Sequence, residues 1–115
     1  MRTSDAYLLD ILTEARKLVD RFRDVPMDEF YVDEEKQYVA FWSISIIGEA
    51  AGHVPERFRI DHSEIPWAEM IAFRNILIHN YVRINLNRVW RVINESAPAL
   101  IEALAPIIDQ SESSQ

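Results

Sequence analysis

Only two glycines, Gly48 and Gly52, occur in this chain of 115 residues, and they lie four apart. Turn-rich all-β folds and glycine-rich phosphate loops both draw on glycine for backbone conformations that other residues resist. Both are therefore excluded. What remains is a helical chain whose connections use proline, aspartate and asparagine. Hydrophobic residues make up 49% of the sequence, enough for a packed core, and the length fits one domain.

The helices follow from apolar spacing. Leu8, Ile11, Leu12, Ala15, Leu18, Val19 and Phe22 recur at i, i+3, i+4 and i+7, one face of an amphipathic helix. Thr3 or Ser4 is its expected cap, and Asp24-Val25-Pro26 its expected end. A short acidic connection leads to Asp33, the expected cap of a second helix from Glu34 to about Gly52. Tyr38, Val39, Phe41, Trp42, Ile44, Ile46 and Ile47 make that helix apolar nearly all round, which suits a bundle centre or an interface. Small residues close it, with Glu49 among them. Glu49 is either a helix-end carboxylate in water or a partly buried acid needing a cation, for which Arg74 is the candidate.

After a loop containing Pro55 and Pro66, a third helix is predicted from Trp67 to Asn80, and Asn85 is the expected cap of a fourth. Apolar spacing from Leu86 to Ile108 continues through Pro98, predicting a helix kinked or split there. The expectation is an all-α, up-and-down four-helix bundle, one domain over 1–108 with a polar tail over 109–115.

Cysteine is absent, so disulfides, thiolate zinc sites and a cysteine nucleophile are excluded. His53, His62 and His79 show no paired ligand spacing, and neither a metal nor a cofactor is expected. The N-terminus lacks a long apolar block, and the longest uncharged stretch, 37–48, is far short of the roughly 20 residues that span a bilayer. A cytoplasmic location with no membrane partner is the expectation.

On the third helix, Trp67, Met70, Ile71, Leu77, Ile78 and Tyr81 fall within about 60° of Arg74 at 100° per residue. This places Arg74 in the middle of an apolar stripe, where a guanidinium must be paired or line a cleft. Asn75 and His79 share a second face with Ala68 and Ala72, small and polar enough to receive another group. Alone, His79 reads as a solvated helix-end residue, Arg74 as a structural ion pair, and Tyr81 as core. Together they make a pattern.

The run Arg74-Asn75-x3-His79-x-Tyr81, with Ile47-Gly48-Glu49-Ala50 and Pro66-Trp67 upstream, resembles the HepT-like branch of the HEPN superfamily, over roughly residues 7–108. The resemblance implies a small helical toxin paired with an MNT-type minimal nucleotidyltransferase antitoxin. It implies a homodimer in which two Arg-x4-His motifs share one cleft, and metal-independent endoribonuclease activity on RNA such as tRNA. In that reading His79 is the general acid/base, Arg74 steadies charge on the phosphate, and Asn75 holds the phosphate or orients His79. An ordinary histidine pKa of about 6.5 suits such proton transfer. Glu49 and Trp67 would support the site, and Tyr81 would accept AMP from the antitoxin. The alternative is a non-catalytic helical subunit that presents substrate to a nucleotidyltransferase.

One geometric difficulty accompanies the motif. Arg74 and His79 stand about 140° apart on an ideal helix. Either the helix distorts near Asn80, or the site takes the two residues from facing subunits, the option the spacing favours.

The net charge of −7 argues at first against a nucleic-acid partner. The acidity is not spread evenly. Residues 1–66 hold 8 basic and 14 acidic side chains, whereas no carboxylate occurs between Glu69 and Glu95, where Arg74, Arg83, Arg88 and Arg91 lie. A locally cationic region on an acidic protein remains compatible with phosphate binding.

Overall fold

The computed structural model describes residues 4–113, with the side chains of Ser4, Tyr81 and residues 110–113 outside that description. The fold is all-α. Helix α1 (Ser4–Phe22) buries Leu8, Ile11, Leu12, Ala15, Leu18 and Phe22, the stripe that the spacing predicts. It begins at Ser4; Thr3 lies outside the described residues.

Where the sequence suggests only an acidic connection, a short helix α2 (Met27–Val32) forms. Pro26 enters it in an extended conformation, and Asp28 and Glu29 sit in its first turn, favourably placed against the helix dipole. Six residues are too few to reveal a 3.6-residue period. The helix is held instead by Phe30, fully buried against Phe22 and Trp90. The Tyr31 hydroxyl also donates to Asn87 Oδ1 from the far side of the chain.

Helix α3 (Glu34–His53) starts where expected, with the Asp33 carboxylate accepting from the Lys36 amide at 3.2 Å. It packs against α1 on one side and against α5 (Trp67–Asn80) on the other. Its centre is buried through Ala40, Ser43, Ile44 and Ile47, yet Trp42 is 70% exposed and Tyr38 lies open beside it. The all-round apolar character thus divides between a core and a free face. A second short helix, α4 (Glu56–Asp61), occupies the loop between Pro55 and Pro66.

Helix α5 keeps its predicted limits, and a 3-10 turn (Tyr81–Arg83) follows. Asn85 caps α6 (Leu86–Arg91), accepting from the Arg88 amide at 3.3 Å. The expected break near Pro98 takes the form of a π-helical turn (Val92–Ser96) leading into α7 (Ala97–Ser113). Pro98 has no N–H for the Asn94 carbonyl, and the wider turn absorbs that loss: the Ala97 amide reaches back to the Val92 carbonyl. A further proline, Pro106, lies inside α7 on its exposed side, where solvent can satisfy the freed carbonyl. The helix continues through Asp109 to Ser113, the stretch the composition marks as a polar tail.

Helix α7 packs on α1, so α1 and α3 form the middle of the molecule and α5 is held chiefly through α3. Among the described residues, no helix is long and apolar enough to cross a membrane.

Candidate functional site

The site begins with the glycine that opens α3 to α5. A Cβ on Gly48 would lie 2.2 Å from the Cβ of Arg74 and 2.7 Å from the Met70 carbonyl oxygen. No real side chain fits there. The stem of Arg74 therefore enters the helix–helix contact, as its place in the stripe predicts. The stripe around Arg74 is unevenly covered: Trp67, Phe73 and Leu77 are buried, whereas Ile78 is half exposed. Arg74 lies toward the open side of that stripe, with its stem in the contact and 30% of its side-chain surface exposed, so its guanidinium can snorkel to the rim.

At the rim Arg74 Nη2 meets Glu49 Oε2 at 2.7 Å, and Nη1 donates to Asn75 Oδ1 at 3.1 Å. The pairing of Glu49 with Arg74 is the one the sequence suggests, but Glu49 is 54% exposed and not a buried acid. Its other oxygen faces His53 Nε2 at 3.2 Å. The His53 ring in turn stacks on Tyr7 of α1, with centroids 4.9 Å apart and planes 13° from parallel. Ser45 and Asp10 complete an open groove of about 420 Å³ over this cluster. The sequence raises His53 only as a possible metal ligand and gives Tyr7 no role. The available signal was the i, i+4 spacing of Glu49 and His53 on one helix face.

His79 and Asn75 lie on the outer face of α5 with Ala68 and Ala72, all four exposed. Helix α5 stays regular through Asn80, so no distortion carries His79 round to Arg74. Within the chain the two do not converge. Trp67, offered as a supporting residue, is about 18 Å from His79 by helical rise and serves the start of α5. It is buried there, with its indole N–H donating to the His62 carbonyl at 3.0 Å. The Tyr81 side chain lies outside the described residues; its backbone opens the 3-10 turn two residues beyond His79.

The cationic region divides around α5. Arg74 faces α3, while Arg88 and Arg91 line a cleft of about 230 Å³ between α3, α5 and the π-helical turn. The Arg88 guanidinium sits 4.7 Å above the Phe73 ring, and Arg91 faces Glu95 at 3.6 Å. Among the described residues, no three His, Asp or Glu side chains gather in a way that could hold a metal.

The ribonuclease HepT-like family model matches residues 11–107. A Thermococcus cleftensis protein named "Probable ribonuclease HepT" is 34% identical over 101 residues, covering 87% of this chain and 92% of that protein. A "Putative RNase" of Methanocaldococcus jannaschii is 33% identical over 99 residues, 86% of this chain and 91% of its own length. Another "Putative RNase", from Caldanaerobacter subterraneus subsp. tengcongensis, is 32% identical over 112 residues, 97% of this chain and 100% of its own. No solved structure matches the chain. With a helical fold, a family model spanning most of its length and relatives more than 30% identical over most of both chains, this chain belongs to the HepT-like ribonuclease family.

Proposed function

We propose that the protein is the toxin of a type II toxin–antitoxin pair, a metal-independent endoribonuclease acting on RNA such as tRNA. The observation that carries this reading is the placement of Arg74, Asn75 and His79 on one helix, with His79 open to solvent. In the reaction the ribose 2′-oxygen bonds to phosphorus as the 5′-oxygen leaves. The 2′-hydroxyl proton passes to a base, and the leaving oxygen receives a proton from an acid. His79 serves in that proton transfer. Arg74 offers fixed N–H donors to the charge gathering on the phosphate, and Asn75 holds or orients.

The working unit in this reading is a homodimer. Arg74 and His79 stand about 140° apart on an undistorted helix, so a phosphate touching both needs one from each subunit. The exposed Trp42, Tyr38 and Ile78 offer apolar surface for a second copy. The partner in the cell is an MNT-type nucleotidyltransferase that transfers AMP to Tyr81. Added nucleotide charge two residues from His79 would repel RNA phosphates. Intact mass after co-expression with that enzyme rises by whole AMP units, and Tyr81→Phe abolishes the rise.

The deciding experiment compares wild type, Arg74→Ala and His79→Ala on purified RNA with chelator present. Cleavage should fall by about 100-fold or more in each variant. Equal behaviour of all three would overturn the enzyme reading and favour a non-catalytic helical subunit that presents substrate to the nucleotidyltransferase.

A further inference from the structure

We propose that Glu49 is a positioning residue for Arg74, admitted to its place by Gly48 and braced by His53. The proposal rests on the ribonuclease reading above. It starts from the donor arithmetic of the guanidinium, which carries five N–H groups. One terminal nitrogen is tied to Glu49 at 2.7 Å and the other to Asn75 at 3.1 Å, while Nε is buried under α3 with no acceptor. Two terminal nitrogens held at once fix the plane of the group. Each keeps one more N–H, a fork that matches two oxygens of a phosphate.

The carboxylate is itself held. Glu49 Oε1 meets His53 Nε2 at 3.2 Å, and the His53 ring is stacked on Tyr7, so α1 limits the rotamers open to Glu49. Stability does not account for this arrangement. Arg74 keeps 30% and Glu49 54% of their side-chain surface exposed, and ion pairs that open contribute little to stability. Orientation is the larger effect. An untethered arginine would have to lose several rotatable bonds on meeting the phosphate, and Glu49 removes that freedom beforehand. Glu49 touches no reacting atom and acts only through Arg74.

The test uses the full chain, an RNA oligonucleotide and two readouts. Glu49→Ala should lower kcat about 10-fold or more while KM moves less than about threefold, since the lost interaction acts at the transition state. Glu49→Gln, which can still accept from Arg74, should recover part of that loss. In an Arg74→Lys background Glu49→Ala should cost less than about threefold, because its target is already gone. The second readout is the side-chain 15N spectrum of Arg74, assigned by its disappearance in Arg74→Lys. Slow rotation of the guanidinium in the wild type should give way to averaged signals in Glu49→Ala. A Glu49→Ala protein that cleaves as fast as wild type, or faster, overturns the inference, as does an equal loss in the Arg74→Lys background. Identical guanidinium signals in wild type and Glu49→Ala overturn it even if no RNA is cut. Wild-type RNA left intact, with the spectral change present, overturns the ribonuclease reading alone.

Discussion

Gly48 and Arg74 meet where α3 crosses α5, and a Cβ on the glycine would stand 2.2 Å from the Cβ of the arginine. The same crossing that brings the helices together delivers Arg74 to Glu49. Gly52, one turn further along, has nothing within 4 Å of its own Cβ position.

The two glycines should therefore respond to alanine with opposite signs. Gly48→Ala gains about 1 kcal/mol of helix propensity but meets a backbone carbonyl and a Cβ, neither of which can rotate away. Overpacking at the upper end of the usual 1–3 kcal/mol range, about 3 kcal/mol, outweighs that gain. Gly52→Ala should stabilise by about 0.5–1 kcal/mol. Urea denaturation of the two variants beside wild type measures both signs. A stabilised Gly48→Ala would contradict the close crossing.

Phe30 holds a helix that could not persist alone. Six residues are too few to form a stable helix in water, and α2 depends on the buried ring. Phe30→Ala should cost about 3–5 kcal/mol, and hydrogen exchange over 27–32 should rise disproportionately. A loss below about 1 kcal/mol would show that the ring contacts with Phe22 and Trp90 do not support the fold.

The start of α3 carries a pH dependence of definite sign. The hydrogen bond from the Lys36 side chain, then that from the Lys36 amide, holds the Asp33 carboxyl below its ordinary range. Because the folded form is the one with the depressed pKa, the stabilisation is fully present above the unfolded value of about 3.9 and fades as pH falls through the folded one. Asp33→Asn keeps a capping oxygen but loses the charge. Its urea midpoint should fall below that of wild type at pH 7, and the gap should narrow as pH falls below about 3.9. A gap that is constant over this range would remove the charge from the account.

Arg74→Ala and His79→Ala, each inactive alone, should restore activity when co-expressed if the site is shared between subunits. Random pairing puts half the protein in mixed dimers with one intact site of two, so about a quarter of wild-type cleavage is expected. An inactive mixture would place both residues in one subunit's site.

Much of this molecule is legible in one dimension. The main helices follow from apolar period, and the caps at Asp33 and Asn85 from side chains that can reach an amide three residues on. The short helices α2 and α4 are not legible, because each spans too few residues to show a period, and α2 holds by the tertiary contact of Phe30. The site divides along the same line. Arg74, Asn75 and His79 share a helix, so their order and angular separation are properties of the sequence. Their surroundings are not: the Arg74 pairing with Glu49 depends on how closely two backbones cross, and the His53–Tyr7 stack on the packing of α1 against α3. Helical geometry is local, set by each residue and its neighbours within a turn or two. Which side chains meet across helices is settled by packing, and here by one missing methyl group at Gly48.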